Sequence, residues 1–180
     1  MFIGSSDWMK RKNKLQVALF IGRFQPFHKG HLSALKWIAA RSSKVIVAIG
    51  SAEKENEPKN PFSAAERKKM IAAQLRMAGL GRKCAIAAVT DINDNGKWVA
   101  HVDARVPAYD AVYSNNSLVK RLMKKAGKEV FAIPFFSKGT FNATKIRGRM
   151  KEGRQWQDRV PKKIREMLGK MKAEERIRKL

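Results

Sequence analysis

Two histidines, His28 and His31, stand three residues apart, with Gly30 between them and Gly22-Arg23-Phe24-Gln25-Pro26-Phe27 leading in. A short apolar run, Gln16 to Ile21, precedes them, and apolar residues of helical period follow from Leu32 to Ala40. The pair therefore lies between a strand and a helix, where α/β proteins bind phosphates. Side chains at i and i+3 of a helix face the same way. The unpaired N–H groups of a helix start favour anions. Arg23 and Lys29 add full positive charge, and a glycine at position 30 lets another group come close to the backbone. Imidazoles donate hydrogen bonds to phosphate oxygens and titrate near neutrality. The chemistry these residues suit is transfer at a polyphosphate whose charge grows in the transition state. Two plainer readings stand beside it. The histidines could be ordinary packing residues, or a zinc pair, which needs a further ligand that no obvious neighbour supplies. Neither G-x-x-x-x-G-K-[ST] nor G-x-G-x-x-G occurs, which argues against a P-loop hydrolase and against the usual nicotinamide-dependent hydride transfer.

The elements that must position this segment follow from hydropathy. Lys44 to Ile49 is β-branched and ends at Gly50, giving strand, helix and strand within the length of one βαβ unit. Ser51 to Pro61 is polar and reads as a loop. Ser63 with Glu66 forms a capping-box pattern that opens a helix running to Met77. Cys84 to Val89 is a third strand, followed by an Asp-, Asn- and Gly-rich loop from Thr90 to Lys97 and a helix from Trp98 to Val106. Ala111 to Tyr113 and Glu129 to Ile133 read as further strands around a helix from Leu118 to Ala126. Asn142 is placed to cap a helix over Ala143 to Met150, and Pro161 suits the first turn of a last helix toward Lys172. The fold class expected is α/β, a doubly wound parallel sheet of Rossmann-like type with C-terminal helices. Ligands of such sheets sit at the carboxyl ends of the strands, here the loops after Ile21, Ile49, Val89 and Tyr113. A basic extension over 1–14 and one domain over 15–180 are expected.

Composition narrows the partners. The 180 residues are 44% apolar, enough for a packed core, and 39 basic against 15 acidic side chains leave a net charge of +24. Such a chain attracts polyanions. Fourteen basic and five acidic side chains fall within 141–180. The bland reading is solubility and attraction of anionic substrates. The sharper one, nucleic-acid binding, lacks any RNA-recognition, KH or zinc-knuckle pattern. A single cysteine, Cys84, excludes an intramolecular disulfide and any four-cysteine or two-cysteine, two-histidine zinc site. No apolar stretch approaches the ~20 residues that span a bilayer, and the first 14 residues do not read as a secretory signal. The expected setting is the reducing cytoplasm, with no membrane partner.

G-x-F-x-P-x-H-x-G-H is the signature of the HxGH nucleotidyltransferases, and the longer GRFQPFHKGHL resembles the archaeal-type nicotinamide mononucleotide (NMN) adenylyltransferases. Asn60-Pro61-Phe62-Ser63-Ala64-Ala65-Glu66-Arg67 is similar to the family's segment opening the second helix. Trp98-Val99-Ala100-His101-Val102 resembles its nicotinamide-site segment, and Tyr109-Asp110-Ala111-Val112-Tyr113-Ser114-Asn115-Asn116 its fourth-strand loop. Asn142-Ala143-Thr144-Lys145-Ile146-Arg147 sits where the family carries S-x-T-x-x-R. The resemblance spans about residues 15 to 180. Asn142 replaces the usual serine, Lys145 an acidic residue, and Asn115 a glycine, the last acceptable if the backbone there is left-handed, which asparagine allows.

The resemblance implies transfer of AMP from ATP to NMN, giving NAD and pyrophosphate by direct in-line attack. It implies that His28, His31, Arg23 and Arg147 act on the phosphates. Gly22, Phe24, Gln25, Gly30, Asn116, Asn142 and Thr144 would bind ATP. On the NMN side it implies Gly50, Ser51, Lys59, Ile92, Asn95 and Trp98, with the indole stacked on the cationic pyridinium and Asn95 reading the carboxamide. His101 borders that side or simply packs. Mg2+ would accompany ATP, held mainly by phosphate oxygens rather than by the protein, and the family implies a homo-oligomer, a hexamer. Alternatives on the same element are adenylyl transfer to pantetheine phosphate or flavin mononucleotide, cytidylyl transfer, or a non-catalytic basic nucleic-acid-binding module. A class I aminoacyl-tRNA synthetase is excluded by length and by the lack of a KMSKS-like segment.

Overall fold

The computed structural model describes residues 16–136 and 139–180. The expected basic extension over 1–14 lies outside them. Five strands, β1 (Val17–Gly22), β2 (Lys44–Ile49), β3 (Cys84–Ala88), β4 (Ala111–Tyr113) and β5 (Glu129–Phe131), form one sheet in the order β3-β2-β1-β4-β5. All neighbouring pairs are parallel, with Leu19 of β1 opposite both Ile46 and Val112. Helices follow the strands: α1 (Lys29–Ala39), α2 (Ala64–Met77), α3 (Trp98–Asp103) and α4 (Ser117–Lys125). The chain then continues through α5 (Ala143–Lys151), α6 (Lys162–Lys170) and α7 (Ala173–Lys179). Among the described residues no helix is long and apolar enough to cross a membrane.

Strand side chains alternate between the two faces of a sheet, and here each face is buried. Ala18, Phe20, Val45 and Val47 point into the larger core with Leu35 and Ile38 of α1, Met70 and Ile71 of α2, and Ile146, Ile164 and Ile177 of the later helices. Leu19, Ile46 and Val112 point the other way, onto Val99 and Val102 of α3 and Met123 of α4. The sheet is thus doubly wound, and the carboxyl ends of its strands form one edge. The expected strands and the Ser63–Glu66 capping box are found, and Asn142 caps α5 through Lys145 N.

Two elements differ from the sequence reading. The first helix starts at Lys29 rather than Leu32, because His28 itself is the cap. The helix expected from Pro161 toward Lys172 is found as α6, but a further helix follows it: Lys172 takes a left-handed φ of 49°, and α7 begins after it. Arg176 of α7 then bonds Glu66 at 2.8 Å and Pro61 O at 3.3 Å, with its guanidinium over the Phe62 ring. Trp156 donates its indole N–H to Glu174 at 2.7 Å. The C-terminal turn is thereby fastened to the start of α2.

Candidate active site

The loop after β1 is shaped by aromatic packing. Phe24 takes a left-handed φ of 54° and is buried, with its ring beneath Gly22, where a Cβ would meet it at 3.1 Å. The same ring meets His31 edge-on at 4.9 Å between centroids, and Phe27 lies 5.5 Å from that imidazole. His31 therefore rests on an apolar aromatic floor.

The histidine pair caps its own helix. His28 Nδ1 accepts from the His31 backbone N–H, and His31 Nδ1 accepts from the His28 backbone N–H, both at 3.3 Å. The rings stack at 3.6 Å with 18° between planes. An acceptor Nδ1 carries no proton, so each neutral ring holds its hydrogen on Nε2. Burial pushes His28 down to about 4. Burial, and then the charge of His28, hold His31 well below the usual histidine range. At neutral pH the pair consists of two uncharged imidazoles, each with one Nε2–H as its side-chain donor. Gly30 serves this packing: a Cβ there would lie 3.0 Å from Phe141 Cβ and 3.2 Å from the His28 ring.

A cavity of about 380 Å³ opens beside the pair, in the size range of small-molecule sites. It gathers Arg23, His28 and His31 from one side, Ser114, Asn115 and Asn116 from the loop after β4, and Asn142, Thr144 and Arg147 from α5. Three helix starts face it: α1 at His28, α4 capped by Asn116, and α5 capped by Asn142. Among the described residues no Asp or Glu lines it. Partial positive charge at three helix ends, with Arg23 and Arg147, makes a setting for a polyanion. Arg147 is buried, and burial, then the charge of Arg23, lower its pKa. It donates to Gln25 O at 2.7 Å, Pro58 O at 3.1 Å and Thr144 Oγ1 at 3.4 Å. A guanidinium has five N–H donors, so both terminal nitrogens keep one for a ligand.

Beside this cavity, toward the β3 edge, lie the other candidates. Gly50 and Ser51 leave β2, and Ile92, Asn95 and Trp98 follow β3, with Lys59 and Asn95 exposed. None of these six lines the cavity. Their loops are tied together: Ala52 N donates to Val89 O, Asp91 N to Glu53, and Lys54 pairs with Asp91 at 3.0 Å. His101 bonds Thr90 O at 2.9 Å through Nε2 and so braces the loop after β3. Trp98 is half-buried and packs against the core between the sheet and α3.

Known proteins share this sequence and fold. A family model described as cytidylyltransferase-like matches residues 19–149. The nicotinamide-nucleotide adenylyltransferase of Thermococcus onnurineus is 42% identical over 90% of this chain and 87% of its own. That of Archaeoglobus fulgidus is 38% identical over 89% and 95%. A solved bifunctional NMN adenylyltransferase/ADP ribose pyrophosphatase from Francisella tularensis, complexed with AMP and a manganese ion, superposes with a TM-score of 0.67 at 29% identity. It is matched over 82% of this chain, which spans only 44% of that protein.

This chain belongs to the cytidylyltransferase-like family. Within it, relatives along nearly its whole length are nicotinamide-nucleotide adenylyltransferases.

Gln25, expected at ATP, lines the cavity, and its amide is braced by the Phe62 backbone: Nε2 donates to Phe62 O at 2.8 Å and Oε1 accepts from Phe62 N at 3.1 Å. One amide N–H and one oxygen lone pair remain beyond those two bonds. One expectation, a left-handed Asn115, needs correction. Asn115 is not left-handed, since the positive-φ residues among those described do not include it. Its side chain instead donates to Ile133 O at 2.6 Å and accepts from Ile133 N at 3.0 Å, joining the ends of β4 and β5. Lys145 points its ammonium at Gly139 O, 3.1 Å away. Cys84 packs into the larger core, and burial raises its thiol to about 11, which leaves it unreactive. Sequence reasoning missed Arg67, the largest fully buried side chain, for want of any local signal that it reaches two distant loops.

Metal ions have little to bind here from the protein alone. Among the described residues no group of three or more His, Cys, Asp or Glu could hold one.

Proposed function

We infer that this chain transfers AMP from ATP to nicotinamide mononucleotide, forming NAD and pyrophosphate. What carries the reading is a pair of neutral, Nε2-protonated imidazoles facing a cavity that helix starts ring and that no Asp or Glu among the described residues lines, in a chain 42% identical to an enzyme of that name. An oxygen of the NMN phosphate attacks the α-phosphorus of ATP, the bond to the β-phosphate bridging oxygen breaks, and pyrophosphate leaves in line. No covalent enzyme intermediate is required, so the protein's work is alignment and charge stabilisation.

His28 and His31 donate from Nε2 to phosphate oxygens as charge moves toward the leaving group. Uncharged donors suit this, because a proton is drawn onto the pair only when an anion arrives to stabilise it. Arg23 and the spare N–H groups of Arg147 hold the β- and γ-phosphates, with Thr144 and the backbone after Asn142 as a second anion seat. Gly22, Phe24 and Gly30 shape the triphosphate pocket, and Asn116 borders the nucleoside. NMN takes the adjoining loops: Gly50, Ser51 and Lys59 toward its phosphate, Ile92, Asn95 and Trp98 toward its base. Mg2+ arrives on ATP phosphates and water, the reaction belongs to the cytoplasm, and the chain works as a homo-oligomer.

The test incubates purified protein with ATP, Mg2+ and, separately, NMN, nicotinic acid mononucleotide, pantetheine phosphate or flavin mononucleotide. Pyrophosphate and the adenylylated product are followed. NAD from NMN supports the reading; turnover with another acceptor and none with NMN overturns it.

A further inference from the structure

Arg67 sits on α2, away from the cavity wall, and is fully buried. Among the described residues its guanidinium bonds no carboxylate. It donates instead to four backbone carbonyls: Ser63 O at 3.2 Å from Nε, Arg23 O at 3.0 Å and Gly50 O at 2.8 Å from Nη1, and Ser51 O at 3.0 Å from Nη2. One nitrogen, Nη1, thus joins the loop after β1 to the loop after β2.

The bonded positions are particular. Arg23 and Gly50 each precede a non-glycine residue in the left-handed region, Phe24 at φ 54° and Ser51 at φ 48°. That conformation is unfavourable for a residue with a Cβ and persists only where surroundings enforce it. Both loops leave their strands by the same bend, and Arg67 holds the carbonyl at each bend. Gly50 N donating to Gly22 O at 2.9 Å adds the backbone tie between them. The first loop carries Phe24 and His28 to the cavity, and the second leads toward the acceptor candidates. Burying a charged group is costly, and Arg147, also buried, likewise spans these two loops through Gln25 O and Pro58 O.

We propose that Arg67 is a positioning residue that sets the loop after β1 against the loop after β2, and so aligns the acceptor phosphate with the α-phosphorus of ATP. This rests on the adenylyl-transfer reading above. Arg67 touches neither substrate. Its effect is on the relation between two half-sites, so its loss acts on turnover more than on the binding of either ligand alone.

The experiment compares Arg67→Lys and Arg67→Gln with Met70→Ala. Met70 is fully buried on the same helix and bonds neither loop. Calorimetric titration gives Kd for ATP alone and for NMN alone, NAD formation gives kcat, and thermal melts give Tm. A lysine keeps the charge but offers donors from a single nitrogen, which does not span the carbonyls that three guanidinium nitrogens reach. The expected result for Arg67→Lys is a kcat lower by about 10–100-fold, with both Kd values within about twofold of wild type. Met70→Ala lowers Tm and keeps kcat. The proposal is overturned if Arg67→Lys keeps wild-type kcat, if both Kd values rise in proportion to the loss in kcat, or if Met70→Ala loses kcat equally at equal Tm. If Arg67→Gln does not fold, Arg67→Lys carries the comparison. Wild-type NAD formation is measured first: its absence defeats the assignment of the reaction, whereas a wild-type enzyme with an indifferent Arg67 defeats the positioning role alone.

Discussion

Acidification of the protein tests whether the histidine pair is held neutral by burial. His28 is 6% exposed and titrates near 4 in the folded chain, against about 6.5 when unfolded. Between those values the unfolded chain binds the proton and the folded chain does not. Stability from the buried neutral ring is therefore complete above about pH 6.5 and drains away as pH falls toward 4. At 1.36 kcal/mol per pH unit, the gap amounts to roughly 3 kcal/mol. About 1 kcal/mol moves Tm by roughly 2–4 °C at this chain length, so the loss corresponds to about 6–12 °C. The comparison is His28→Asn, which keeps a good helix cap and removes the titrating group, while other acid-sensitive groups cancel. Urea melts of both proteins at pH 7.5, 6.5, 5.5 and 4.5 give the difference curve. The wild type is expected to lose the additional ~3 kcal/mol across that range. Parallel curves for wild type and His28→Asn refute the burial argument, and with it the neutral-donor assignment.

Three further outcomes follow from the site. His31→Ala is expected to lower kcat by about 10²–10³-fold, as for loss of one oxyanion donor, with a folded circular-dichroism spectrum; near-wild-type turnover removes the imidazole from the reaction. Trp98→Ala is expected to raise KM for NMN by roughly 2–30-fold, the equivalent of 0.5–2 kcal/mol of cation–π contact, and to leave KM for ATP unchanged; an equal rise in both assigns Trp98 to packing alone. Asn115→Gly restores the residue the family pattern carries but strips both bonds from the Ile133 backbone. It is expected to cost about 1–3 kcal/mol in a denaturant titration, and an unchanged midpoint shows those bonds to be dispensable.

Much of the frame was legible because local chemistry and global fold agree. β-branched runs marked β1 and β2, Ser63 and Glu66 marked the start of α2, and Asn142 marked α5, each through interactions within four residues. The histidine spacing was legible too, but its cause was not. Same-face geometry suggested two ligand-facing rings, whereas the rings also cap each other's backbone, and that is what fixes their tautomer. What stayed hidden rests on long separations. Arg67 bonds Arg23 44 residues away, Gln25 bonds Phe62 across 37, and Arg147 reaches Gln25 across 122. Each looks in sequence like a solvated or ligand-binding polar side chain, and only the sheet's topology turns it onto a distant carbonyl. The existence of α7 was equally silent, since Lys172, whose left-handed backbone sets it off from α6, carries no turn signal.

The fastening of α7 has a consequence for how the molecule ages under heat. The turn formed by α7 grips Glu66 and Pro61 and covers Phe62, whose backbone in turn holds Gln25 in the phosphate loop. Loosening of α7 thus reaches the histidine pair by a short mechanical relay, with the sheet beneath still whole. Activity is then expected to fall on heating before the sheet melts.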